Sequence, residues 1–216
     1  GVPIGWQTRR IIQARFPSLD TDTGWQRAVA PRFADILCGP LAPHVLGQML
    51  EVGFLNRFLP EFTDVEHLVQ FDAYHLLPVG PHMVETVRQL AFFEFGNEFL
   101  GDVLFPLRDV PCLRWAALLH DIGKAEADHA VRGAEMSRRI LERLGYDDEL
   151  CRECAFLIEY HLLLVHTATR RDLGEESVIH GLAATLGTGA RLDALTLLTW
   201  ADSIATGPKA WNPWVE

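Results

Sequence analysis

The chain has 216 residues, 49% of them hydrophobic, with 19 basic against 29 acidic side chains and a formal charge of −10. That length and apolar content suffice for one sizeable core. The acidic balance, with no cluster of Lys and Arg, excludes duplex nucleic acid as a partner, because affinity for a polyanion needs concentrated positive charge.

Taken in chain order, hydrophobic periodicity predicts helices over residues 6–15, 24–38 and 41–59. Residues 1–40, punctuated by Asp20-Thr21-Asp22-Thr23-Gly24, Pro31 and Pro40, read as a helical lead-in packed on a main domain spanning 41–216. Pro81 marks the start of a helix predicted over 82–95 and places His82 in its first turn. Phe92, Phe93, Phe95 and Phe99 crowd the end of that helix and read as core aromatics.

The helix predicted over 110–121 ends in Leu118-Leu119-His120-Asp121-Ile122-Gly123-Lys124. Adjacent side chains on a helix point about 100° apart, so His120 and Asp121 converge on one ion only where the helix ends or a turn re-aims them. Gly123 is expected to supply that turn. An imidazole nitrogen beside a carboxylate oxygen suits a divalent cation such as Mn, Fe, Mg, Zn or Co, and Lys124 is placed to hold an anionic group nearby. The combination points to metal-assisted hydrolysis of a phosphate ester.

Further candidates follow. His129 opens a helix predicted over 130–144, with apolar residues near a 3.6 repeat and Gly145 as its C-cap. His161 ends an apolar run within the helix predicted over 148–164, and the loop after it carries Arg170 and Arg171, whose guanidinium groups can fork onto a phosphate or form structural ion pairs. Helices are predicted over 175–186 and 190–205, the second carrying Asp202, a carboxylate costly to bury on so apolar a helix unless paired or bound to a cation.

Cys38, Cys112, Cys151 and Cys154 are too few and scattered for a disulfide framework. No apolar run approaches the ~18 residues needed to cross a bilayer and no signal-peptide layout is present, so no membrane partner and a cytoplasmic location are expected. No segment alternates as a strand does; the fold class is all-α, a helical bundle with ligands converging from several helices.

His82, His120-Asp121 and Asp202, in that order on successive helices, resemble the HD phosphohydrolase superfamily, and His129 and His161 resemble its two-metal variants. The runs Leu50-Glu51-Val52-Gly53-Phe54-Leu55, Gln70-Phe71-Asp72-Ala73-Tyr74-His75, Thr167-Ala168-Thr169-Arg170-Arg171-Asp172 and Ala205-Thr206-Gly207-Pro208 are similar to the HD region of bifunctional uridylyltransferase/uridylyl-removing enzymes of bacterial nitrogen control. Leu77, Pro78 and Gly80 stand where that region usually has Tyr, Thr and Asp. Tyr160 stands where it usually has a second histidine.

The resemblance implies one or two divalent metal ions: His82, His120, Asp121 and Asp202 around one, His129 and His161 around a second, with Asp121 bridging. It implies a phosphohydrolase acting on a nucleotide or other phosphoester, with Asp121 and Lys124 catalytic and Lys124, Arg170 and Arg171 binding substrate. A uridylylated PII-like protein is an expected substrate partner. The contrasting reading is a non-catalytic sensor or docking module in which an ion only staples the bundle or a degenerate site binds nucleotide; the intact ligand order weighs against degeneracy.

Overall fold

The structure, a computed structural model, describes residues 4–16, 23–70, 76–96 and 111–210, with the backbone alone at 23 and 93–96. Asp20 to Asp22, His75, Phe99, Val110 and the side chains of Phe93 and Phe95, all invoked above, lie outside this description.

Among the described residues the chain is helix after helix with no strand. The helices are α1 (Trp6–Arg15), α2 (Thr23–Leu37), α3 (Ala42–Glu51), α4 (Phe54–Phe58), α5 (Val79–Gly96), α6 (Pro111–Leu119), α7 (His129–Leu144), α8 (Asp148–Glu159), α9 (Leu163–Arg170), α10 (Glu176–Leu186) and α11 (Gly189–Thr206), with a short 3₁₀ turn at Pro60–Asp64. None is long and apolar enough to cross a membrane.

Two expected helices divide. The stretch 41–59 breaks at Gly53, whose φ of 76° lies in the left-handed region that glycine enters without steric cost. The stretch 148–164 breaks at Tyr160–Leu162, so His161 sits in a turn between α8 and α9.

The core lies around α6, whose residues Leu113 to Leu119 are all buried. A helix buried on every side, Arg114 included, lies at the centre of the bundle, and α5, α8 and α11 surround it. Trp115 is fully buried, with its ring 5.3 Å from Phe33 of α2 and 5.7 Å from Tyr146 just beyond α7. α7 has a single apolar face, Gly133, Ala134, Ser137, Ile140, Leu141 and Leu144, laid on α8. Gly145, at φ 93°, ends it as expected. Phe92 is exposed rather than in the core, because Leu90 and Ala91 take the inward face of α5 and the next residue points away.

α8 and α11 run side by side in the same direction. Glu153 of α8 takes Arg191 of α11 in a two-pronged ion pair, at 2.9 and 2.7 Å, and Thr199 reaches the carbonyl of His161 at 3.3 Å; both links join residues 38 apart in sequence.

Candidate metal centre

His120 and Asp121 follow directly on the last residue of α6, in a turn where the Ile122 N–H donates to the Leu119 carbonyl and the Lys124 N–H to the Asp121 carbonyl, each at 3.0 Å. Ending the helix there turns both side chains inward: His120 is 0% and Asp121 1% exposed. Gly123 serves this turn for a different reason than its conformational freedom. A Cβ at Gly123 would lie 2.4 Å from the His129 carbonyl oxygen and 2.6 Å from the Gly133 nitrogen, so the need is close approach of the turn to α7. Asp128, at φ 52°, takes the left-handed conformation that Asp tolerates better than most residues and swings the chain so that His129 opens α7.

Two sets of ligand-type atoms result: His82, His120 and Asp202, and Asp121, His129 and His161, each set lying within 4.8 Å of one another. In the first, His82 Nε2 lies 3.1 Å from His120 Nε2 and 2.9 Å from Asp202 Oδ1, with His120 Nε2 3.4 Å from the same oxygen. Asp121 faces both sets. Its Oδ2 is 3.6 Å from His120 Nε2 and 3.9 Å from His82 Nε2, while its Oδ1 is 3.8 Å from both His129 Nε2 and His161 Nε2.

The imidazoles are oriented from behind. His120 Nδ1 lies 3.0 Å from the Ala117 carbonyl and His161 Nδ1 2.6 Å from the Ile158 carbonyl. A carbonyl only accepts, so Nδ1 carries hydrogen in both rings and each Nε2 faces the interior, the orientation from which a neutral ring ligates a metal. The buried Nε2 of His129 has no hydrogen-bond partner. Imidazole nitrogens and carboxylate oxygens converging on one interior, one of them unsatisfied, fit a divalent cation.

Burial disfavours charge on every one of these groups, and the neighbours decide which ionise. Against burial, Asp121 and Asp202 raise His120 to about 9, while burial and then His120 push His161 down to about 4. Burial opposes ionisation of both carboxylates, yet His120 outweighs it, holding Asp121 at about 2 with the help of Lys124 and Asp202 well below the carboxylate range. Burial and then Lys124 lower His129. The centre thus keeps two carboxylates ionised and His129 and His161 neutral, whereas His120, held charged by those carboxylates, has to release its Nε2 proton for a cation to bind there.

Lys124 is neither solvated nor apart: its Nζ lies 3.0 and 3.1 Å from the two Asp121 oxygens. Arg170, at the end of α9, and Arg171 beyond it are exposed, and among the described residues no hydrogen bond or ion pair joins either to the centre. Arg171 instead lines a cleft of about 410 Å³ between α9 and α10, with Thr167, Ser177 and Thr185. Tyr160 packs against Phe156, ring centres 4.7 Å apart and planes tilted by 40°. Sequence reasoning missed Thr199 and the Ala117 and Ile158 carbonyls; Thr199 was detectable as the residue one turn before Asp202, whereas backbone acceptors leave no signature.

A helical body whose interior gathers imidazoles and carboxylates into two adjoining sets has the build of a metal-dependent phosphohydrolase. Comparison with known families gives the same answer, since the model described as HD domain matches residues 79–207, more than half of the chain. The chain belongs to the HD domain family.

It is similar to bifunctional uridylyltransferase/uridylyl-removing enzymes. That of Gluconobacter oxydans (strain 621H) is 39% identical over 194 residues, covering 84% of this chain and 20% of the relative. That of Ruegeria pomeroyi is 32% identical over 221 residues, covering 99% and 24%, and that of Xanthomonas campestris pv. campestris (strain B100) is 37% identical over 194 residues, covering 86% and 22%. The chain spans about a fifth to a quarter of the length of the curated relatives it matches.

Proposed function

We propose that this domain hydrolyses a phosphodiester, specifically a nucleotidyl-protein bond such as the uridylyl-tyrosine linkage of a PII-like signal protein, with release of UMP. The observation that carries the reading is Asp121, one carboxylate with an oxygen turned to each ligand set. In this reading His82, His120, Asp121 and Asp202 hold one divalent cation and Asp121, His129 and His161 a second. Such ions supply acidity to a water molecule and offset charge on the phosphoryl oxygens.

The chain's own residues orient and bind. The Ala117 and Ile158 carbonyls fix the His120 and His161 rings, and Lys124, already beside Asp121, is placed to hold a phosphoryl oxygen of the substrate. Arg170 and Arg171 are taken to meet the substrate farther out, where a protein-borne phosphodiester has room. Residues 1–40 are taken as a helical lead-in to the domain formed by 41–216. The choice of substrate is supported by the uridylyl-removing relatives.

The test is elemental analysis, then turnover of bis(p-nitrophenyl) phosphate with Mn²⁺. His120→Ala and Asp121→Ala are expected to lose roughly 100-fold or more, since even partners outside the ligand set are worth about 10–100-fold in such sites. Activity untouched by either substitution overturns the site. Metal bound without turnover of any phosphoester makes the domain a sensor. UMP released from uridylylated PII protein decides the substrate.

A further inference from the structure

We propose that Thr199 is a positioning residue that fixes the spacing between the two ligand sets; this rests on the ligand assignment above. α8 and α11 are tied twice at one register. The outer tie is the Glu153–Arg191 ion pair, near the start of α11 and partly exposed. The inner tie is the Thr199 hydroxyl, which donates to the His161 carbonyl at 3.3 Å and is buried with it. Eight residues of helix, about 12 Å, separate Arg191 from Thr199, so the outer pair aligns the helices but leaves their inner ends to be set locally.

The inner end is where the ligands are. His161 belongs to the second set and occupies the turn after α8, a place with little ladder of its own: its N–H reaches the Ile158 carbonyl only at 3.4 Å. Asp202, of the first set, lies three residues after Thr199 on the same side of α11. One hydroxyl therefore joins the backbone that carries His161 to the helical turn that carries Asp202. Its bond is to the backbone of a ligand, not to a ligand atom, so losing it shifts a position without removing a donor.

The expected result is a split between the two ions. In Mn²⁺ titrations followed by calorimetry and electron paramagnetic resonance, Thr199→Val, equal in size, retains one ion at wild-type affinity. It binds the second roughly fivefold to tenfold more weakly, as expected for one net hydrogen bond, with a weakened exchange-coupled signal between the two ions. Thr199→Ser restores both. Arg191→Leu, which cuts the outer tie, lowers the melting temperature and keeps two ions at wild-type affinity. Thr199→Ala replaces the valine variant should the latter fail to fold. Wild-type affinity for both ions in Thr199→Val or Thr199→Ala overturns the inference alone. Wild-type protein that takes up fewer than two ions overturns the ligand assignment and the inference with it.

Discussion

At the scale of single residues, the centre depends as much on side chains that are missing as on those that bind. Gly123 lets the turn after α6 press on the first turn of α7, and a methyl group there meets backbone of α7 with nothing flexible to yield. Gly123→Ala is expected to cost about 1–3 kcal/mol, the range for forcing extra atoms into a packed interior. It should also drive His129 away from Asp121, so that urea unfolding shows the loss while metal analysis shows the second ion depleted. Full stability with full metal content would contradict the close-approach argument. The residues that the structure gathers at the centre were legible in the sequence, since His82, His120, Asp121, His129, His161 and Asp202 are the kinds of side chain a buried cation needs. Their orientation was not, because it is set by main-chain oxygens and by Thr199, which bear no mark of the task they perform.

At the scale of the helices, periodicity located the main elements and failed where one residue's conformation outweighed the pattern. An apolar repeat runs unbroken through Gly53 and His161, so only the coordinates reveal that α3 and α8 end there. Contacts between elements were also outside its reach. Trp115 joins α2, α6 and the end of α7, and Trp115→Ala is expected to destabilise the protein by about 3–5 kcal/mol, as for other large aromatic truncations in a core; a loss below about 1 kcal/mol in chemical unfolding would show that these helices are not coupled through it. A second junction is polar. Arg143 of α7 grips Glu61 of the 3₁₀ turn with two bonds, at 2.5 and 2.9 Å. Burial alone would raise the Glu61 carboxyl, but the Arg143 bonds hold it below its ordinary value. A depressed carboxyl stabilises fully above the unfolded value of about 4.3 and ceases to do so as pH falls through the folded one. Arg143→Met should therefore cost about 1 kcal/mol at pH 7 and much less near pH 3. Equal penalties in urea titrations at both values would mean that the ion pair contributes nothing beyond packing.

At the scale of the whole molecule, a net charge of −10 and an interior holding ionised carboxylates mean that a bound cation adds to the stability of the folded state. Mn²⁺ at 100 times its dissociation constant should add about 2.7 kcal/mol to stability, which for a chain of this size is a melting temperature higher by roughly 5–10 °C. Chelation should reverse the rise, and His120→Ala should abolish it. A melting temperature indifferent to both metal and chelator would sever the centre from the fold.

The contact between Lys124 and Asp121 carries one more consequence. Asp121 faces both ligand sets, and its charge is already countered by an ammonium from its own turn. A newly made polypeptide can thus close its interior without waiting for a metal. Loading is then an exchange of one counter-ion for another at a finished fold, and maturation of the enzyme becomes separable from its synthesis.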